Sequence, residues 1–136
     1  MWPFTAAAKR AVLLVDDDPV MRTMLGINFG EAGWQVNEAA NGQEGVEAAL
    51  KTAPGLILLD YDMPVMTGLE ALRALRRERK TAKTPIIMVT ARGSLEDIEA
   101  CIKLGASDYV NKPFEMDKLM AKVDKLVPPP PKTTAA

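Results

Sequence analysis

Residues 13–19 read LLVDDDP. An apolar run that begins at Ala11 ends in three successive aspartates, Asp16, Asp17 and Asp18, and then Pro19. Apolarity that is continuous rather than alternating marks a strand covered on both faces, as in a parallel sheet. Adjacent carboxylates repel one another, and gathering them at a strand end is costly unless a cation neutralises them. The stretch therefore predicts a buried strand, 11–16, that delivers acidic groups to a cation site. Asp18 has a separate reading. It precedes a proline suited to the first helical position, so it is expected to cap a helix.

Working outward, LILLD at 56–60 and PIIMV at 85–89 repeat the same pattern, and 34–38 and 108–111 are weaker strands. Helical spacing fills the gaps. Met21, Met24, Leu25 and Asn28 follow Pro19, and Leu69, Leu72 and Leu75 follow Gly68. Met116, Leu119, Met120, Val123 and Leu126 form a third stripe. The methionines read as core filler rather than a binding groove. Gly33 and Gly105 each close a helical run, as C-terminal caps do. The order is (βα)5. It predicts an α/β fold with a doubly wound, parallel five-stranded sheet and helices on both faces.

Sites in open α/β sheets lie beyond the carboxyl ends of the strands. Here those ends carry Asp16 and Asp17, Asp60, Thr90 and Lys112. Singly, each is an ordinary polar residue at a strand end. Together, three carboxylates, a hydroxyl and an ammonium suit one chemistry. Hard oxygen donors without histidine or a thiolate cluster favour Mg2+ over Zn2+.

The bulk figures narrow the field. A chain of 136 residues, 48% hydrophobic and 26% charged, fits one globular domain. The divisions expected are an N-terminal extension (1–9), the domain (10–127) and a proline-rich tail (128–136). A net charge of −1 gives no pull toward nucleic acid or anionic membrane. No apolar run reaches the ~18 residues of a membrane span. Cys101 is the single cysteine, which suits a reducing cytoplasmic setting, and it reads as a small buried hydrophobe. The absence of histidine removes imidazole acid–base catalysis and a phosphohistidine within this chain. RALRRERK, 73–80, reads as a solvated helix face.

VLLVDDDP, LILLDYDMPVMTGLE, PIIMVTA and GASDYVNKPF, in this order, resemble the response-regulator receiver domain of two-component signalling. The likeness runs from about Ala11 to Val127. It implies the flavodoxin-like strand order 2-1-3-4-5, with Asp60 as phosphoryl acceptor. It implies Mg2+ held by Asp16, Asp17, Asp60 and the backbone carbonyl of Asp62. Thr90 matches the switch hydroxyl, Lys112 the lysine that pairs with a phosphoryl oxygen, and Tyr109 the switch aromatic. The Lys112-Pro113 bond is expected to be cis. The resemblance implies a signalling switch rather than an enzyme, charged by a histidine kinase or phosphotransfer protein. A downstream protein would then read the face made by the fourth helix, fifth strand and fifth helix. Asp62 and Arg92, two residues past Asp60 and Thr90, carry opposite charges at the mouth of the site. They are expected to pair and to lengthen the life of the phosphoaspartate. With nine residues after Val127, the chain reads as a stand-alone, chemotaxis-regulator-like protein acting by protein contact. It is expected to be monomeric, with a phosphorylation-linked dimer as the other state. Two alternatives stand beside this reading: an Mg2+ phosphatase of the haloacid dehalogenase type, which Asp60-Tyr61-Asp62 superficially fits, and a receiver-like scaffold that is never phosphorylated.

Overall fold

The apolar runs become strands because each is covered from both sides. The structure, a computed structural model, describes residues 10–131. The extension 1–9 and the tail residues 132–136 lie outside the described residues. The elements alternate: β1 (Ala11–Val15), α1 (Pro19–Glu31), β2 (Gln35–Ala39), α2 (Gly42–Thr52), β3 (Leu56–Leu59), α3 (Gly68–Arg77), β4 (Ile86–Thr90), α4 (Leu95–Lys103), β5 (Asp108–Asn111) and α5 (Met116–Leu126). The strands form one parallel sheet in the order β2-β1-β3-β4-β5, as the resemblance implies.

Alternate strand residues feed two cores. Leu13, Val15, Ile57, Leu59, Ile86 and Met88 face Ala49, Leu72, Leu75 and Cys101 from α2, α3 and α4. Val12, Leu14, Leu56, Leu58, Ile87 and Val89 face Leu25 and Phe29 of α1 and Leu119 and Val123 of α5. Each fully buried side chain of this kind contributes about 1.5–3 kcal/mol. A strand buried on both faces has no polar face to alternate with, which is why its sequence reads as a run.

Some boundaries moved. β1 and β3 stop one residue short of their aspartates, whose carboxylates leave the sheet. The backbone ladder continues past them, with Asp16 N donating to Ala39 O at 3.1 Å and Asp60 N to Val15 O at 3.0 Å. β2 begins one residue later than expected because Trp34 belongs to the core. Its ring meets Phe29 edge-on, with centroids 5.5 Å apart. β4 likewise runs 86–90 rather than 85–89.

The predicted stripe on α1 is half wrong. Leu25 and Phe29, one turn apart, are the buried pair, whereas Met24 is 40% exposed. The Asn28 amide donates to the Met24 carbonyl at 2.9 Å instead of facing the sheet. Val20 and Ile27 join Met24 on the outer flank, 74% and 56% exposed. On α5 the expected stripe holds, with Leu119 and Val123 at its centre.

The helix stops follow the expected chemistry. Asp18 caps α1, its side chain accepting from Val20 N at 2.9 Å with Pro19 next. Gly33 and Gly105 sit at φ 92° and 103°, where other residues are strained. Near the opposite end of the domain, Arg10 stacks 4.2 Å over the Trp34 ring and donates to the Val127 carbonyl at 3.3 Å. Residues 128–131 are exposed and lack regular secondary structure. No helix among the described residues is long and apolar enough to cross a membrane.

Candidate functional site

Parallel strands in register bring their carboxyl ends to one edge. Val15 is level with Leu59 across β1 and β3, so Asp16 and Asp60 leave the sheet side by side. Lys112 follows β5, and its backbone N donates to the Thr90 carbonyl at 2.9 Å. The Lys112-Pro113 bond is cis, as expected. The Lys112 ammonium lies between the two aspartates, 2.7 Å from Asp16 Oδ2 and 3.1 Å from Asp60 Oδ2.

The remaining donors on these carboxylates are backbone amides. Asp16 Oδ1 accepts from Asp18 N at 2.9 Å, and Asp60 Oδ1 accepts from Tyr61 N at 2.6 Å. Burial pushes the Asp16 carboxyl above its ordinary value, against the Lys112 hydrogen bond, which favours its charged form. Burial alone would lower the Lys112 ammonium. Its hydrogen bond to Asp16 and the charges of Asp60 and Asp16 outweigh that and hold it above its ordinary value.

Asp17 is exposed, yet carboxylate oxygens of Asp16, Asp17 and Asp60 all lie within 4.8 Å of one another. Three hard oxygen donors at that spacing fit a small divalent cation, and the Lys112 ammonium pairs with two of them. Thr90 is buried at the end of β4, with Oγ1 accepting from Arg92 N at 3.3 Å.

Asp62 does not join the cluster. Its carboxylate pairs with Arg92, 2.9 Å from Nε and 2.8 Å from Nη2. The expected ion pair across the mouth of the site is therefore formed. Tyr109 donates its hydroxyl to the Arg92 carbonyl.

Several contributors were invisible in the sequence. Arg22 of α1 donates to the Asp16 carbonyl at 2.6 Å and pairs with Glu38 at 2.9 Å, fixing the acidic turn. Tyr61 lies under the Arg92 guanidinium, 4.3 Å from its ring centroid. Asp97 of α4 is 3.5 Å from Arg92 Nη1. Gly68 abuts the Asp60–Tyr61 backbone: its N donates to Tyr61 O at 2.7 Å, and an added Cβ would come 2.8 Å from the Asp60 carbonyl carbon.

Burial, followed by the charges of Cys101 and Asp97, pushes the Tyr109 phenol up to about 12. Tyrosinate therefore forms more readily in the unfolded chain. The stabilisation from keeping Tyr109 protonated is complete below about pH 10 and is lost as the pH rises toward the folded value. Ultraviolet titration of the parent should show tyrosinate absorbance appearing late, and Tyr109→Phe should remove the latest-titrating part. Loss of a component titrating near the ordinary value of about 10 would contradict this.

Comparison with known proteins agrees with this geometry. The family model described as the response regulator receiver domain matches residues 12–124. The DNA-binding dual master transcriptional regulator RpaA of Synechocystis is 36% identical over 116 residues, covering 85% of this chain and 48% of that protein. The phosphate regulon transcriptional regulatory protein PhoB of Pseudomonas aeruginosa is 36% identical over 114 residues, covering 84% and 50%. The chain thus spans about half the length of the curated relatives it matches. Among solved structures, Vibrio cholerae chemotaxis protein CheY4 superposes with a TM-score of 0.84 at 34% identity, covering 88% of this chain and all of the other. The receiver domain of sensor histidine kinase PA1611 from P. aeruginosa, solved with magnesium coordinated in its active-site cleft, gives 0.81 at 32% identity, covering 88% and 98%.

Proposed function

The chain belongs to the response regulator receiver domain family, and from that premise we propose that Asp60 takes a phosphoryl group from a histidine kinase or phosphotransfer protein. The observation that carries the reading is the Lys112 ammonium held between Asp16 and Asp60, with Asp17 completing the carboxylate group. An Asp60 carboxylate oxygen attacks phosphorus. The bond from phosphorus to the donor breaks, and the donor keeps that electron pair. Lys112 and the backbone N–H of Tyr61 hold the nucleophile in place, and Lys112 also offsets charge on the phosphoryl oxygens. Mg2+, held by Asp16, Asp17, Asp60 and the Asp62 carbonyl, would neutralise further phosphoryl charge. Thr90 supplies a hydroxyl from the end of β4. Once the β4–α4 loop moves toward the phosphoryl group, Tyr109 is released from the Arg92 carbonyl and the α4–β5–α5 face changes.

The exposed apolar strip of Val20, Met24 and Ile27 lies on the helix that follows the acidic turn. It is where a donor protein would dock. The family is one of signalling switches. An Asp-x-Asp phosphatase would need Asp62 at the reacting phosphorus, whereas here Arg92 engages it.

Labelling with acetyl phosphate and Mg2+, with peptide mapping, tests the proposal. One stable phosphoryl group on Asp60 is expected. Continuous turnover of a simple phosphate ester would overturn it.

The metal has its own test. A ligand that binds only the folded state stabilises it by about 2.7 kcal/mol at a hundredfold excess over Kd. Mg2+ should therefore raise the melting temperature of the parent. Asp17→Asn removes one exposed repelling carboxylate, which Lys112 already offsets in part. The metal-free variant should gain no more than ~1 kcal/mol and lose most of the Mg2+ response. A destabilised Asp17→Asn protein that keeps the full Mg2+ shift would refute the assignment.

A further inference from the structure

The basic run 73–83 does not stay on one helix. It holds six cations and one acid, in a chain whose net charge is −1. α3 ends at Arg77, and the run continues into the connection to β4. There Lys80 Nζ donates to the Leu50 carbonyl of α2 at 3.3 Å, one residue before the exposed Lys51. Arg76 Nε donates to the Gly105 carbonyl at 3.0 Å, two residues after the exposed Lys103 of α4. The strands are parallel, so α2, α3 and α4 all finish at this edge, and each has a basic last turn. Arg73, Arg77, Arg79 and Lys83 are exposed and make no ion pair among the described residues.

Along the outer face of α3 this charge meets an apolar surface. Met66, Leu69 and Ala74, each half-buried, line a trough of about 350 Å3 with Glu70, Arg73 and Arg77. Their spacing of three and four residues means that the trough follows the helix axis. Glu70 is engaged by the capping Thr67. Arg73 and Arg77, one helical turn apart, are therefore the charges that an incoming group meets.

We propose that the outer face of α3 docks an acidic amphipathic helix of a partner protein. Carboxylates one turn apart on that helix pair with Arg73 and Arg77, and its apolar side chains fill the trough over Met66, Leu69 and Ala74. Arginine forks take carboxylates bidentately, and a helix seated in a groove presents its anchors at the same spacing. Acids beyond the end of α3 meet Arg79, Lys80 and Lys51. The surface suits a protein better than other polyanions. No aromatic residue lies between 62 and 108, so a nucleobase has nothing there to stack on. No large apolar side chain within 73–83 is exposed for insertion into a membrane. None of these residues belongs to the Asp60 site, so the inference stands apart from the acceptor assignment.

The probe is a synthetic helix with glutamates one turn apart beside a row of leucines, labelled for fluorescence anisotropy. The comparison ligands are a scrambled peptide of the same composition, a random-sequence DNA duplex, and vesicles of phosphatidylglycerol and phosphatidylcholine. The parent should bind the amphipathic peptide about tenfold more tightly than the scrambled one, and more tightly than the duplex or the vesicles. Arg73→Glu/Arg77→Glu turns two attractions into repulsions. It should weaken the amphipathic peptide about tenfold and gain affinity for the same peptide with lysines in place of glutamates. Arg73→Gln/Arg77→Gln adds no anion to the C-terminal end of α3 and should show the same loss at smaller size. In an NMR titration of the parent, the amides of 66–77 should shift most. Absence of binding, equal binding of the scrambled peptide, or tighter binding of the duplex or the vesicles would overturn the proposal. So would parent-like affinity in both double variants, or shifts centred on the α4–β5–α5 face.

Discussion

Asp60→Asn protein is expected to take up no phosphoryl group from acetyl phosphate in Mg2+, whereas the parent should gain one. The loss should be complete because the amide has no anionic oxygen to attack phosphorus. The substitution keeps the side-chain shape and its contact with Tyr61 N, so the fold should survive. Asp60→Asn also leaves Asp16 as the sole carboxylate partner of Lys112, which does not disturb the core. Neither Asp16 nor Asp62 is free to substitute in the right place. Asp16 is engaged by Lys112 and the Asp18 amide, and Asp62 by Arg92. Asp17 is the exposed member of the group. Peptide mapping settles the outcome: label on Asp17 or Asp62, or undiminished labelling of Asp60→Asn, would contradict the assignment.

Among the described glycines, Gly68→Ala should be the most damaging substitution. A Cβ there collides with the Asp60 carbonyl oxygen and comes 2.8 Å from both the Asp60 carbonyl carbon and the Tyr61 Cα. All three are backbone atoms, and no rotamer change relieves the contact. Either α3 retreats or the acceptor segment moves. Overpacking against rigid atoms costs typically 1–3 kcal/mol and occasionally more, so a loss of about 3 kcal/mol is expected. That corresponds to a fall of roughly 10 °C in Tm. The acceptor geometry should suffer too, lowering the labelling rate of whatever remains folded. Gly30→Ala is the control. It sits in α1 with nothing within 4 Å of an added Cβ, so alanine should stabilise it by about 0.5–1 kcal/mol. Similar effects at the two sites would show that the crowding at Gly68 is not real.

The sequence was most legible where burial left only one pattern. β1, β3 and β4 are covered on both faces, so each is an apolar run, and each run ends where its polar residue leaves the sheet. The shared edge then follows from parallel register alone. The meeting of Asp62 and Arg92, thirty residues apart, was expected from the resemblance, which sets both beside that edge, and from their opposite charges. α1 was less legible because Val20, Met21, Met24, Leu25, Ile27 and Phe29 put apolar side chains all around it. Periodicity cannot choose a buried face from such a set, and only packing against β1 and β2 selects Leu25 and Phe29. Arg22, Tyr61 and Asp97 were missed for another reason. An arginine on a helix, an aromatic after an acidic residue and an acid in a first helical turn are all ordinary. Their significance comes from the loops that bring them together.

The contact between Arg10 and the Val127 carbonyl has a consequence for how this domain can be built into other proteins. It places the entry to β1 and the exit from α5 side by side. A folded unit whose ends adjoin can be spliced into a surface loop of a host protein without prising the loop open. It can also be circularly permuted by joining those ends and cutting elsewhere, at an exposed loop tip. Because Arg10 precedes the start of β1 whereas Asp60 follows the end of the parallel β3, the join would sit beneath the domain, at the opposite edge from Asp60. A host would thus carry the receiver by its base and leave the Asp60 edge facing outward.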